Sequence, residues 1–186
     1  MRRLRGWVFG LLLLVVGTAS GPVQAASPAS AATVVQSSVL GANTVQAQLL
    51  AYLARGDIAG AIAMYSLQTG RAAPAWLVDL QAACNVANQM AGRCQQVARF
   101  IHTAYGKLGQ TPQYIAFRAR GREDYIIFEL ANGKQVSVSR AGYHVAVKVG
   151  DMIHDAYTGP LGMKPSDYLS RLHGRQGIEW EMVSTP

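Results

Sequence analysis

"GYHVAVKVGDMIHDAYTGP", residues 142–160, sets two short apolar runs on either side of Gly150-Asp151. His144 lies in the first run and His154-Asp155 ends the second. A Gly-Asp pair between alternating runs reads as a two-residue hairpin turn. Such a turn puts Val149 opposite Met152, and counting outward Ala146 meets Asp155 and His144 meets Tyr157. Successive side chains of a strand point to opposite faces. His144, Ala146, Asp155 and Tyr157 therefore share one face. Tyr143, Val145, Val147 and Val149 share the other with Met152 and His154, and this mostly apolar face reads as the core side. His144 and Asp155 are diagonal neighbours, roughly 7–8 Å apart at the backbone and within side-chain reach. His154 falls on the wrong face to join them. A carboxylate beside an imidazole fixes its tautomer and stabilises its protonated form, as general-base chemistry requires. The plainer reading is an exposed strand histidine with a nearby acid making a surface contact.

The flanking sequence tells what kind of fold holds the hairpin. Before it, the apolar period is two in Tyr114–Arg118 and in Asp124–Leu130, and Asn132-Gly133 marks a turn into Gln135–Ser139. After it, Lys164–Leu172 reads as a closing helix. Upstream of Pro112 the spacing is helical. Val45, Leu49, Leu50 and Leu53 precede a breaker at Gly56, and Ile58, Ile62, Met64 and Tyr65 run up to Gly70, as a short helical hairpin. A third helix is expected from Ala75 to about Met90. A fourth runs from Cys94 to Leu108, with Val97, Phe100, Ile101, Tyr105 and Leu108 on one face and Gly109 as its stop. Helices followed by a small antiparallel sheet make the fold class α+β. No second copy of the helical hairpin is present, so a helical-repeat array is excluded.

The chain has 186 residues and a formal net charge of +7. Arg2, Arg3 and Arg5 precede a short apolar stretch, Trp7–Val16, and Val23-Gln24-Ala25 is a small-x-small cleavage site. Residues 1–25 thus read as a secretory signal peptide, too short for a membrane span, and the protein as secreted or periplasmic. No cysteine follows the apolar stretch, so neither a lipid anchor nor a stable membrane anchor after cleavage is expected. Cleavage removes three arginines and no acid, lowering +7 to a mildly basic +4. No nucleic-acid motif stands out, and no metal or cofactor is implied. Residues 26–42, rich in Ala and Ser, read as a flexible leader, 43–74 as a helical segment, and 75–186 as the remaining domain.

A His-Asp pair needs a group to activate. The serines lie mostly in the leader and loops, without a strand-turn-helix elbow, which leaves Cys84 and Cys94. Cys94 follows Gly92-Arg93 and opens an amphipathic helix. Free N–H groups and the macrodipole at a helix start favour a thiolate, and Arg93 beside it acts in the same direction. Cys84 falls mid-helix, where a thiol is expected to be buried and inert, and stands as the alternative nucleophile. Two other readings stay open: a Cys84–Cys94 disulfide, suited to an oxidising exported compartment, and plain packing of Cys94.

The helix-opening cysteine in Gly92-Arg93-Cys94-Gln95-Gln96-Val97-Ala98, then a small sheet, then "GYHVAVKVGDMIHDAYTGPLGMKPSDYL" resembles the papain-fold toxin domains of bacterial polymorphic toxin systems. The resemblance covers roughly residues 83–172. It implies a reduced papain-like cysteine-peptidase core, with Cys94 as nucleophile, His144 as base and Asp155 as the orienting acid. The Cys94 backbone N–H would serve the oxyanion. Gln89 stands near the place of the assisting glutamine, one residue closer than the usual gap, and Gln81 precedes Cys84. The implied activity is proteolysis or glutamine deamidation on a protein or peptide substrate, with a cognate immunity protein as a further partner. The alternatives are a periplasmic cell-wall peptidase or amidase, and a non-catalytic, disulfide-bonded binding module.

Overall fold

Four helices lead residues 44–186, the part of the chain described by this computed structural model. The expectations for residues 1–25 and 26–42 lie outside the described residues. Residues 44–53 are helical (α1), followed by α2 (Ile58–Thr69), α3 (Ala75–Ala83) and α4 (Cys94–Lys107). The Asp57 side chain accepts from the Gly60 N–H at 2.7 Å and caps α2, which ends on Gly70 in the left-handed region. Helix α3 stops at Ala83, well short of the expected Met90. The cause is local: the Asn85 side chain accepts from the Ala87 N–H at 2.9 Å, and the Asn88 amide donates to the Ala82 carbonyl at 2.6 Å. Both bonds compete with helix continuation. Cys84 is therefore the C-cap of α3 rather than a mid-helix residue. Helix α4 starts at Cys94 as expected and ends at Lys107, with Leu108 as its C-cap; it buries Val97, Ala98, Ile101, Ala104 and Tyr105, and leaves Phe100 half-buried.

Seven strands follow: β1 (Gln113–Ala119), β2 (Ile126–Glu129), β3 (Gln135–Ser139), β4 (Tyr143–Val149), β5 (Met152–His154), β6 (Leu172–His173) and β7 (Ile178–Val183). A fifth helix, α5 (Pro165–Arg171), lies between β5 and β6. Instead of one small sheet there are two, a four-stranded β5-β4-β1-β7 and a three-stranded β3-β2-β6, both antiparallel. The α+β class holds, with helices packed on antiparallel sheets. Strands β6 and β7 were not anticipated, although Ile178–Val183 alternates charged with large apolar residues as an edge strand does; β7 pairs only with β1. The chain passes from β3 to β4 through a tight corner. Ser139 Oγ accepts from the N–H groups of Ala141 and Tyr143, both at 3.1 Å. Gly142 is required there: a Cβ would lie 2.1 Å from the Glu123 carbonyl oxygen.

The β4–β5 hairpin has the expected register, with Val149 opposite Met152 and Val147 opposite His154. The expected burial of its faces is overturned. His144 and Asp155, assigned to the side away from the core, are 0% and 2% exposed. The face of Val147 and His154 receives α4, where the Tyr105 and His154 rings lie 5.1 Å apart. The His144 face is covered by the second sheet and α5, with Phe117, Tyr157 and Tyr168 against the imidazole and Phe128 behind the two tyrosines. Alternation tells which residues share a face. It does not tell whether a polar face meets water or meets other polar groups.

His154 makes the fold acid-sensitive. Burial is the main cause that drives its pKa down, to about 4, with the Asp155 charge opposing. The unfolded chain protonates this ring near 6.5, so the stability of the folded form is complete above that pH and declines as pH falls toward 4. The loss is roughly 3 kcal/mol. Urea unfolding followed from pH 7 to pH 4 should show it, and His154→Phe should flatten the profile across that window. An unchanged profile in that variant would refute the assignment.

Candidate active site

Asp155 follows the last residue of β5, and its carboxylate is fully engaged. Oδ1 accepts from the backbone N–H groups of Tyr157 at 2.8 Å and Thr158 at 2.9 Å. Oδ2 accepts from the Tyr168 hydroxyl at 2.7 Å and lies 3.0 Å from His144 Nε2. The Thr158 hydroxyl also accepts from the Asp155 N–H at 3.0 Å. Burial favours the neutral carboxyl, yet the bonds from His144, Tyr168 and Thr158 and the imidazole charge hold it below its ordinary value of 3.8. Asp155 is an anion in the folded protein.

His144 is oriented by this anion. Its Nε2 is within 3.0 Å of Asp155 Oδ2 and 2.9 Å of the Tyr168 hydroxyl oxygen. The hydroxyl proton goes to Asp155, so one Nε2–H is shared between two acceptors and the neutral ring keeps its lone pair on Nδ1. Nδ1 is buried and has no hydrogen-bond partner of ordinary geometry among the described residues. Burial alone would lower the ring's pKa, but Asp155, through hydrogen bonding and charge, and Cys94 together raise it to about 9. The Tyr157 ring stands edge-on to the imidazole, centroids 6.3 Å apart, and screens the pair from water.

Cys94 is at the first position of α4 and half-buried. Strand β5 pairs with β4 only at Val147–Val149, so upstream of Val147 the β4 backbone has no β5 partner. The sulfur lies beside this unpaired stretch, close enough for the Val145 backbone to act on it. Burial works against the thiolate, but the His144 ring, Val145 and the Gln95 N–H at the helix start outweigh it and hold the thiol below its ordinary value of 9.0. With Nε2 occupied, Nδ1 is the ring nitrogen available to the sulfur. Arg93, expected to favour the thiolate, turns its guanidinium to Gln96 Oε1 at 2.7 Å and is not among the groups that act on it.

Cys84 lacks this activation. Burial first, then the Asp155 charge, pushes its thiol up to about 11, and His144 does not act on it. Both cysteines are free thiols. Gln89 lies in the loop between α3 and α4, and its side-chain amide donates to the Ala156 carbonyl at 2.8 Å. That bond ties the loop before Cys94 to the residue after Asp155 and uses one of the two amide protons, leaving the second to point elsewhere. Among the described residues, no hydrogen bond ties Gln81 to these groups.

His144 and Asp155 meet as the hairpin register suggests, and Cys94 is near enough for the His144 ring to act on its thiol, although no hydrogen bond joins sulfur and ring. His154 stays apart on the other face. Tyr168 was missed. Its signal was weak, an aromatic inside the Lys164–Leu172 helical pattern that looked like ordinary core. What gives it a role is the oxygen, placed 2.7 Å from Asp155 and 2.9 Å from His144 on a side chain with no exposure. Compared with protein-family models, curated proteins and solved structures, the chain gives no significant match.

Proposed function

We propose that residues 75–186 are a papain-like cysteine hydrolase, exported by means of residues 1–25, that acts as a bacterial toxin or effector on a protein or peptide. The supporting observation is the joint geometry of Cys94, His144 and Asp155: a free thiol at a helix start, acted on by a ring whose far nitrogen is bound to a buried carboxylate. The Cys94 thiolate attacks an amide carbon, either a peptide bond or a glutamine side chain. The oxyanion meets the N–H groups at the start of α4, with the second Gln89 amide proton within the same loop. Protonated Nδ1 of His144 gives its proton to the departing amine or ammonia, and a thioester remains on Cys94. Water then adds to the thioester, with Nδ1 taking its proton, and the acid product leaves as the thiolate returns.

The reactive thiolate–imidazolium pair exists between the Cys94 pKa, below 9.0, and the His144 pKa, about 9. Activity should rise as pH increases through the first and fall through the second. Iodoacetamide at pH 7 should modify Cys94 and spare Cys84, whose thiolate fraction there is on the order of 1 in 10,000. A glutamine-containing peptide should leave an acyl group on Cys94, seen by mass spectrometry. New amino termini mark proteolysis, and free ammonia marks deamidation. Preferential labelling of Cys84, or a Cys94 that never labels, would sink the reading.

A further inference from the structure

The helix side of the four-stranded sheet carries a cleft of about 650 Å³ that the reaction above does not use. Its walls are apolar, with Leu50 and Leu53 from α1, Val149 and Met152 from the hairpin, and Leu161 from the loop after Asp155. Tyr105 and His154 line it as well, although they are only 8% and 7% exposed. Their rings pack together at 5.1 Å, and neither the phenol nor the imidazole is hydrogen-bonded to any described residue. Their polar atoms are not sealed off but open on the cleft, where an outside partner can take the place of water, and a mostly apolar cleft of this size with a few convergent polar groups is the usual form of a small-molecule site.

The charge state of these two groups narrows the ligand. Burial pushes the Tyr105 phenol up to about 12 and His154 down to about 4, so both are neutral near pH 7. A charged head group would lose its water without gaining an opposite charge, since no residue lining the cleft is charged and Asp155, next to His154 in the chain, points to the other face and is already fully hydrogen-bonded. We propose that this cleft binds a small, neutral, apolar molecule bearing one hydroxyl or amide head, which hydrogen-bonds Tyr105 and His154 while its hydrocarbon part covers Leu50, Leu53 and Met152. The site is separate from Cys94 and stands whether or not the hydrolase reading does.

The test is a titration of the full chain with 1-hexanol, hexanoate and hexylamine, reading the His154 ring resonances by NMR. Hexanol should give a saturable shift, with the two charged compounds at least about fivefold weaker. Tyr105→Phe keeps the ring and removes the hydroxyl, and should weaken hexanol about tenfold, the loss of one hydrogen bond. Leu50→Trp, at a half-buried wall position, should abolish the shift by filling the cleft. The proposal is overturned by the absence of a saturable shift up to the solubility limit. It is also overturned by equal affinity for all three head groups, or by unchanged affinity in Tyr105→Phe.

Discussion

Replacing Cys94 with alanine should remove hydrolysis by at least about three orders of magnitude, because no other group is placed to form the acyl intermediate. The fold should survive. Cys94 is half-buried at the first turn of α4, and alanine is a strong helix former there. A second signature separates loss of the nucleophile from general damage. Cys94 is one of the two groups that raise the His144 pKa to about 9, the other being Asp155. In Cys94→Ala the ring should therefore titrate at lower pH, measurable from its own resonances, while thermal unfolding stays close to wild type. A variant that kept more than a tenth of the activity would exclude Cys94 as nucleophile, and attention would pass to Cys84.

Asp155→Ala should be the most destabilising single change in the site. It deletes the acceptor for the Tyr168 hydroxyl, for the Tyr157 and Thr158 N–H groups and for His144 Nε2, all in a place that water does not reach. Breaking a buried charged pair by removing one partner costs about 3–5 kcal/mol. For a domain of this size that lowers the Tm by roughly 10 °C or more. The carboxylate's folded pKa is below its unfolded value of 3.8, so its contribution is present above that pH and lost on further acidification. This separates it from His154, whose window lies higher. Asp155→Asn tests orientation rather than stability. Its amide nitrogen offers protons where Tyr168 and Nε2 need an acceptor, which drives the ring toward the tautomer protonated on Nδ1 and removes the base. Activity should fall about 10²–10⁴-fold with a smaller loss of stability. Full activity in Asp155→Asn would show that the carboxylate does not orient His144.

The residues that could be read in advance are those governed by neighbours along the chain. The Gly150-Asp151 turn sets the register of β4 against β5, and the register alone picks Asp155 over His154 as the partner of His144. The start of α4 at Cys94 follows from Gly92 before it and from the helical spacing of Val97, Ile101 and Tyr105 after it. The end of α3 was equally local but misread. Asn85 and Asn88 make bonds of two to six residues' span that the helical spacing of apolar residues does not reveal.

Other features depend on contacts between segments distant in sequence, where spacing carries no information. The second sheet and α5 cover His144 and Asp155, and turn what looks like an exposed strand face into a closed polar cluster. The Tyr168 hydroxyl becomes part of that cluster because α5 packs over Phe117 and Phe128. The Cys94 thiol comes near enough for the imidazole to act on it because α4 packs against β4, whose backbone upstream of Val147 has no β5 partner. Turns and helix starts are set by bonds within a few residues and leave a mark in the order of amino acids. Proximity of Cys94 to His144 comes from packing three segments at once, and the free energy that holds it is shared among side chains with no common pattern.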